Sequence, residues 1–130
     1  MKKISVYGSL LKGLGNHRLI QDSQLLGEEI VEVPFIMIPF GSSFPGLVKV
    51  NDNHKVLIET YEIDDNTYKR VESLEGYPSF YDKYQFNTPK FGESELYFLN
   101  GEKDNNNSIE KIDGVFNWKQ HLINNYGKDY

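Results

Sequence analysis

The chain contains no cysteine. That absence removes disulfides, thiolate metal sites and a cysteine nucleophile together, and it fits a reducing compartment. Histidine is scarce as well. His17, His54 and His121 stand at no metal-ligand spacing, so no metal is expected. Basic charge is in deficit, with 14 Lys and Arg against 19 Asp and Glu for a formal charge of −5. No basic cluster offsets this, so neither nucleic acid nor an anionic membrane is an expected partner. No apolar run approaches the roughly 20 residues of a membrane-spanning helix. Met1-Lys2-Lys3 opens like a signal peptide, but the polar break at Gly13–Arg18 comes too early for one. The expectation is a soluble cytoplasmic protein. Ser9 lacks the G-x-S-x-G context of a hydrolase elbow, and Lys12 lacks the Gly-Lys-Ser/Thr order of a phosphate loop.

What the chain does have is aromatic mass: nine Tyr, eight Phe and one Trp in 130 residues. That is enough to build the core of one domain over residues 1–130. Residues 3–7 read as a strand and 16–23 as a weak helical patch. Residues 25–40 are β-rich, with bends at Pro34 and Pro39. Residues 44–50 and 55–63 read as a hairpin turning at Asn51-Asp52-Asn53. Asp64-Asp65 can cap a helix over 66–75 that Gly76 and Pro78 close. Residues 81–88 and 93–99 alternate as strands, 100–108 form a polar loop, and a last helix at 117–125 carries Trp118, Leu122 and Ile123. The fold class expected is α+β: a small, mainly antiparallel β-barrel with a few flanking short helices.

Two features stand out for chemistry. After the first strand come Tyr7-Gly8-Ser9-Leu10, then Gly13 and Gly15. Glycine directly after a strand permits close approach, either by another strand or by a ligand. The second feature is Glu75. Tyr68, Val71 and Leu74 form the inward stripe of the 66–75 helix, and Glu75 falls on it, with Glu72 at its edge. Against Tyr77, Phe80 and Tyr81 a carboxyl would be desolvated and its pKa raised, which suits a general acid/base. The alternative is a carboxylate fraying outward into water. Glu59 is a second oddity, interrupting the face of Leu57, Tyr61 and Ile63.

The segments "VYGSLLKGLGNHRLI", "FPGLVKV", "YEID" and "ESLEGYPSFYDKYQF" together resemble the gamma-glutamylcyclotransferase-like superfamily, in its gamma-glutamylamine cyclotransferase branch. The likeness runs from the first strand to about residue 99, and Trp118 resembles a tryptophan near the end of such chains. The resemblance implies a small β-barrel with a pocket at one end and conversion of gamma-glutamyl amines or small peptides to 5-oxoproline and free amine. Neither cofactor nor metal is implied. It assigns glutamyl binding to Tyr7, Gly8, Ser9 and Leu10, and proton transfer to Glu75. Tyr81 either hydrogen-bonds the substrate or Glu75, or packs in the core. His17 either pins the loop or touches substrate, Tyr7 acts through its backbone with its ring packed, Phe44 walls the pocket, and Pro45 either walls it or serves as a strand-entry residue. A non-catalytic binding module on the same fold is the alternative function.

Two departures bear on this. Relatives commonly have Gly-Glu where this chain has Ile58-Glu59, so Ile58 either narrows the pocket or faces the core. Relatives tend to carry arginine where Lys83 stands. Lysine lacks the bidentate fork that grips a carboxylate, so Lys83 either orients substrate weakly or forms a surface ion pair.

Overall fold

The computed structural model describes residues 1–101 and 107–130. The expected polar loop at 100–108 lies largely outside those residues. Among the described residues six strands and two α-helices follow one another: β1 (Lys2–Val6), β2 (Gln24–Phe40), β3 (Phe44–Ile63), α1 (Asp65–Glu75), β4 (Tyr81–Thr88), β5 (Gly92–Leu99), β6 (Val115–Phe116) and α2 (Trp118–Tyr126). One sheet runs in the order β2-β3-β1-β5-β4, with β6 pairing β3. The contacts β2–β3, β3–β1 and β4–β5 are antiparallel, and β1–β5 and β3–β6 are parallel.

β1 is central, and it is buried on both faces. Ile4 and Val6 turn one way into the core. Ser5 turns the other way, where its hydroxyl bonds Thr60 Oγ1 at 2.9 Å and Ser94 Oγ at 2.8 Å. These bonds satisfy three buried hydroxyls that would otherwise be costly. β2 keeps a period of two, with Val31, Val33, Phe35 and Met37 inward and Ile30 and Glu32 exposed. The sheet is strongly curled but not closed. Phe35 of β2 meets Tyr84 of β4 edge-on at 5.0 Å and Phe98 of β5 at 5.2 Å, so opposite ends share the core without hydrogen bonds. The expected α+β class stands: a mainly antiparallel, barrel-like sheet that is curled without closing, flanked by short helices.

Three local expectations are corrected. Residues 44–63 are one strand of 20 residues rather than a hairpin, and they pair along β2. The turn lies at residues 41–43, where Gly41 adopts φ 59°. The pairing passes from Val33↔His54 to Phe35↔Lys49, so Val50 and Asn51-Asp52-Asn53 bulge out opposite Pro34. Proline has no N–H to offer the ladder, so the bulge falls there. The helical patch at 16–23 is only a 3-10 turn over His17–Leu19 within successive tight turns. Asn16 and His17 bond back to Ser9 and Leu10, and such local bonds compete with a helix. Finally, Leu74 does not join the inward stripe of α1: it is 44% exposed, while Val71 is fully buried.

The helices start and stop where expected. Asp64 accepts the Thr67 N–H at 2.7 Å, and Gly76 closes α1 at φ 63°. Asn117 caps α2, which buries Trp118 and Leu122.

Candidate active site

A cavity of about 190 Å³ opens where β1 ends, between the β1 loop, the start of β3, the C-terminus of α1 and the start of β4. It is lined by Tyr7, Gly8, Ser9 and Leu10, by Phe44 and Pro45, by Glu75, and by Tyr81. Every residue assigned to substrate binding or proton transfer in the sequence therefore falls at one site, although the elements carrying them lie up to 74 positions apart. Ser5, Val6, Asn16, Leu74, Phe80 and Tyr97 complete the lining and carried no such assignment in the sequence.

Pro45 joins three of the walls. A Cβ on Gly8 would lie 2.6 and 2.7 Å from the Pro45 ring carbons, so only glycine lets the β1 loop lie against β3. The φ of Gly8 is not positive, so close approach rather than backbone conformation selects the residue. The question raised by that glycine has its answer here: it admits the neighbouring strand. Tyr81 donates its hydroxyl to the Pro45 carbonyl at 2.8 Å, which fixes the ring as a wall of the cavity.

The loop after Gly8 is held from several sides. Asn16 clasps Ser9 twice, through Nδ2 to Oγ at 3.0 Å and through its N–H to the Ser9 carbonyl at 3.1 Å. His17 Nδ1 donates to the Leu10 carbonyl at 2.9 Å, so His17 pins the loop and does not line the cavity. Glu59 accepts the Lys12 N–H and the Tyr61 hydroxyl, each at 2.9 Å. That explains why a carboxylate interrupts the face of Leu57, Tyr61 and Ile63: it anchors the loop from beneath. With the loop so held, the N–H groups of Gly8, Ser9 and Leu10 donate to no other described residue. Three adjacent unpaired amides at a cavity can receive an anionic or carbonyl oxygen.

Glu75 is half-buried, and its carboxylate has no hydrogen-bond partner among the described residues. Burial pushes its carboxyl up from 4.5 to about 7. Its position at the last residue of α1, where the helix end is negative, acts in the same direction. The phenols around it stay protonated. Burial, reinforced by the Glu75 charge, raises Tyr81, and burial likewise raises Tyr7 and Tyr97. Tyr7 packs its ring and donates to the Tyr97 carbonyl at 2.6 Å, leaving only its backbone for a ligand. A carboxyl poised near neutrality can accept and return a proton at physiological pH.

Glu72 and Lys83 form a separate feature one turn back along α1. They are ion-paired and partly buried, and the Lys83 ammonium sits 4.0 Å from the Tyr77 ring centroid and 4.5 Å from that of Tyr68. Neither lines the cavity, and the pair is less exposed than a surface bridge. Ile58 is fully buried in the core and lines no part of the cavity either.

Comparison with known proteins adds to this geometry. Residues 4–119 match the family described as gamma-glutamyl cyclotransferase, AIG2-like. The chain belongs to that family. A relative from Vibrio cholerae serotype O1, which carries the provisional name gamma-glutamylcyclotransferase, is 34% identical over 94 residues, covering 72% of this chain and 78% of its own. A gamma-L-glutamyl-butirosin B gamma-glutamyl cyclotransferase from Niallia circulans is 32% identical over 77 residues, covering 59% of this chain and 47% of its own. Among solved structures, an uncharacterised protein from Pyrococcus horikoshii superposes over the whole of both chains with a TM-score of 0.78 at 25% identity. An AIG2-like protein from Mus musculus shares the fold at a TM-score of 0.69 and 21% identity, over 90% of this chain and 95% of its own. The fold thus has its counterparts among solved structures. No helix among the described residues is long and apolar enough to cross a membrane.

Proposed function

We propose that this protein is a gamma-glutamyl cyclotransferase that converts a small gamma-glutamyl amine or peptide to 5-oxoproline and a free amine. The observation that carries the reading is Glu75, a carboxyl held near neutrality in a cavity beside three unpaired backbone amides.

A gamma-glutamyl compound contains its own nucleophile. Glu75, ionised, takes a proton from the substrate α-ammonium. The freed amine attacks the γ-carbonyl carbon and closes a five-membered ring. Charge develops on the carbonyl oxygen, and the amides of Gly8, Ser9 and Leu10 are suited to receive it or the substrate carboxylate. The bond from the γ-carbon to the leaving nitrogen then breaks, and Glu75 returns its proton to that nitrogen. In all, the α-nitrogen loses two protons and the leaving nitrogen gains two, ending as an ammonium. Holding the substrate folded for ring closure adds a proximity effect of several kcal/mol, on the order of 7–11 when the reacting groups are well oriented.

A module that only holds gamma-glutamyl compounds would need an obstructed cavity or a missing acid/base group. Ile58, the residue that pointed that way, packs in the core. The test is incubation with a panel of gamma-glutamyl amines and peptides, reading 5-oxoproline by mass spectrometry. Equimolar 5-oxoproline and amine should accumulate with the parent protein and not with Glu75→Gln. Formation of neither product from any member of the panel would refute the reading.

A further inference from the structure

Beside the cavity of Glu75 runs a second depression, a groove of about 510 Å³ between the tight turns around His17–Leu19 and the outer face of α1. The two are continuous, because Asn16 and Leu74 line both. Arg18 stands on one wall of the groove, and Lys69 and Arg70 stand on the other. Leu19 and Ser73 complete the lining, with no carboxylate among the described residues that form it. No run of the sequence is basic, and the chain carries 19 acidic residues against 14 basic ones. These three cations converge only because the turns after β1 pack against α1.

In so acidic a chain, exposed cations have carboxylates to spare, yet these remain unpaired. Among the described residues Arg18 and Lys69 have no hydrogen-bond or ion-pair partner. Arg70 gives one N–H to Thr67 Oγ1 at 3.2 Å and keeps the rest of its guanidinium fork. On their far side both arginines border another groove, which holds Asp22, Glu62 and Asp64, but neither forms an ion pair there. Asp64 is engaged instead as the cap of α1. Three unpaired cations beside the opening of a reactive cavity make an electropositive wall that attracts an anion.

We infer that this groove is a subsite for a phosphate group carried at the far end of the leaving amine. The inference rests on the proposed cyclotransferase reaction and names a substrate class for it. The glutamyl unit occupies the cavity, the leaving chain passes over Leu74, and the phosphate lies between Arg18, Lys69 and Arg70. A phosphate monoester suits the groove better than a carboxylate. Its nearly doubled charge meets three cations, and its oxygens accept the parallel N–H bonds of a guanidinium. An amino-acid end brings an ammonium along with its carboxylate and forfeits much of that gain. Glu75 stands about 7.5 Å from Arg70 and about 9 Å from Lys69 along the helix axis, a separation that a chain of about four carbons spans.

Three gamma-glutamyl amides built on one four-carbon chain test this: those of 4-aminobutyl phosphate, 4-aminobutanol and 1,4-diaminobutane, which end in phosphate, hydroxyl and ammonium. Release of 5-oxoproline is measured for each at low ionic strength, with the parent protein, with the double variant Lys69→Gln/Arg70→Gln and with Arg18→Gln. In the parent, kcat/KM for the phosphate compound should exceed that for the alcohol by about tenfold, with the ammonium compound below both. The phosphate-to-alcohol ratio should fall toward one in the double variant and by about threefold in Arg18→Gln. Taken within one protein, that ratio does not depend on how much of a variant is folded. Equal turnover of phosphate and alcohol, preference for the ammonium compound, or a ratio that either variant leaves unmoved would each overturn the subsite, while the cyclotransferase reading stands on the 5-oxoproline formed. Release from none of the three overturns the reaction and the subsite together.

Discussion

Replacing Glu75 with glutamine should abolish turnover and at the same time make the protein more resistant to alkaline pH. The two effects have one cause. The carboxyl moves from 4.5 to about 7 on folding because burial penalises its ionised form. The folded state thus holds a proton that the unfolded chain releases. Its contribution to stability is complete below pH 4.5 and is lost as pH rises through about 7. With ~1.4 kcal/mol for each tenfold change in proton affinity, the whole effect amounts to about 3 kcal/mol, and partial exposure of the side chain brings it nearer 2. Most of that change falls between pH 5 and pH 8.5. Glutamine has nearly the same shape and no charge to desolvate, so the variant should escape this loss. Relative to the parent, its melting temperature should therefore rise by on the order of 5–10 °C between those two pH values. Thermal melts of both proteins across the range measure the difference directly. The companion assay is 5-oxoproline release, which should fall by about 10²–10⁴-fold in the variant. In the parent, kcat/KM should climb about tenfold per pH unit below 7 and level off above it. A melting difference independent of pH would mean that Glu75 is solvated and not desolvated in the cavity. Turnover within threefold of the parent would remove it from the chemistry.

Three further outcomes follow from the packing. Gly8→Ala places a methyl group 2.6 Å from the Pro45 ring, which cannot swing aside as a flexible chain end would. It should cost about 1–3 kcal/mol in urea unfolding and reduce 5-oxoproline release, and a melt within a degree of the parent would show that the contact is dispensable. Tyr97 buries its hydroxyl with no hydrogen-bond partner among the described residues, so Tyr97→Phe should be neutral or stabilising by about 1 kcal/mol. A clear loss of stability would reveal a partner for that hydroxyl. Ile58→Ala removes a fully buried side chain and should cost about 2–5 kcal/mol with no gain in activity on bulkier substrates; a gain would put Ile58 in the cavity wall instead of the core.

Some of this protein was decided within short stretches of chain. Asp64 and Gly76 bound α1 through bonds that reach only three or four residues, so the helix and the place of Glu75 at its end were legible from the sequence. The β4–β5 hairpin and the burial of Trp118 and Leu122 on α2 were legible for the same reason: period and turn chemistry are local. The loop after β1 and Glu75 could be paired in advance only through resemblance to a family, because nothing in periodicity joins residues so far apart. Tertiary structure decided the rest. Asn51-Asp52-Asn53 has the composition of a turn, yet β2 pairs on both sides of it and reduces it to a bulge opposite Pro34. Gly8 lines the cavity, and only the folded chain shows that Pro45, 37 residues on, also occupies the space its side chain would need. Glu59 looks misplaced on its face until Lys12 and Tyr61 are seen to bond it. Above all, α1 sets where the Glu75 carboxyl stands but not its proton affinity. That comes from desolvation by walls built from β1, β3 and β4, and desolvation is a property of the assembled cavity and of no single segment.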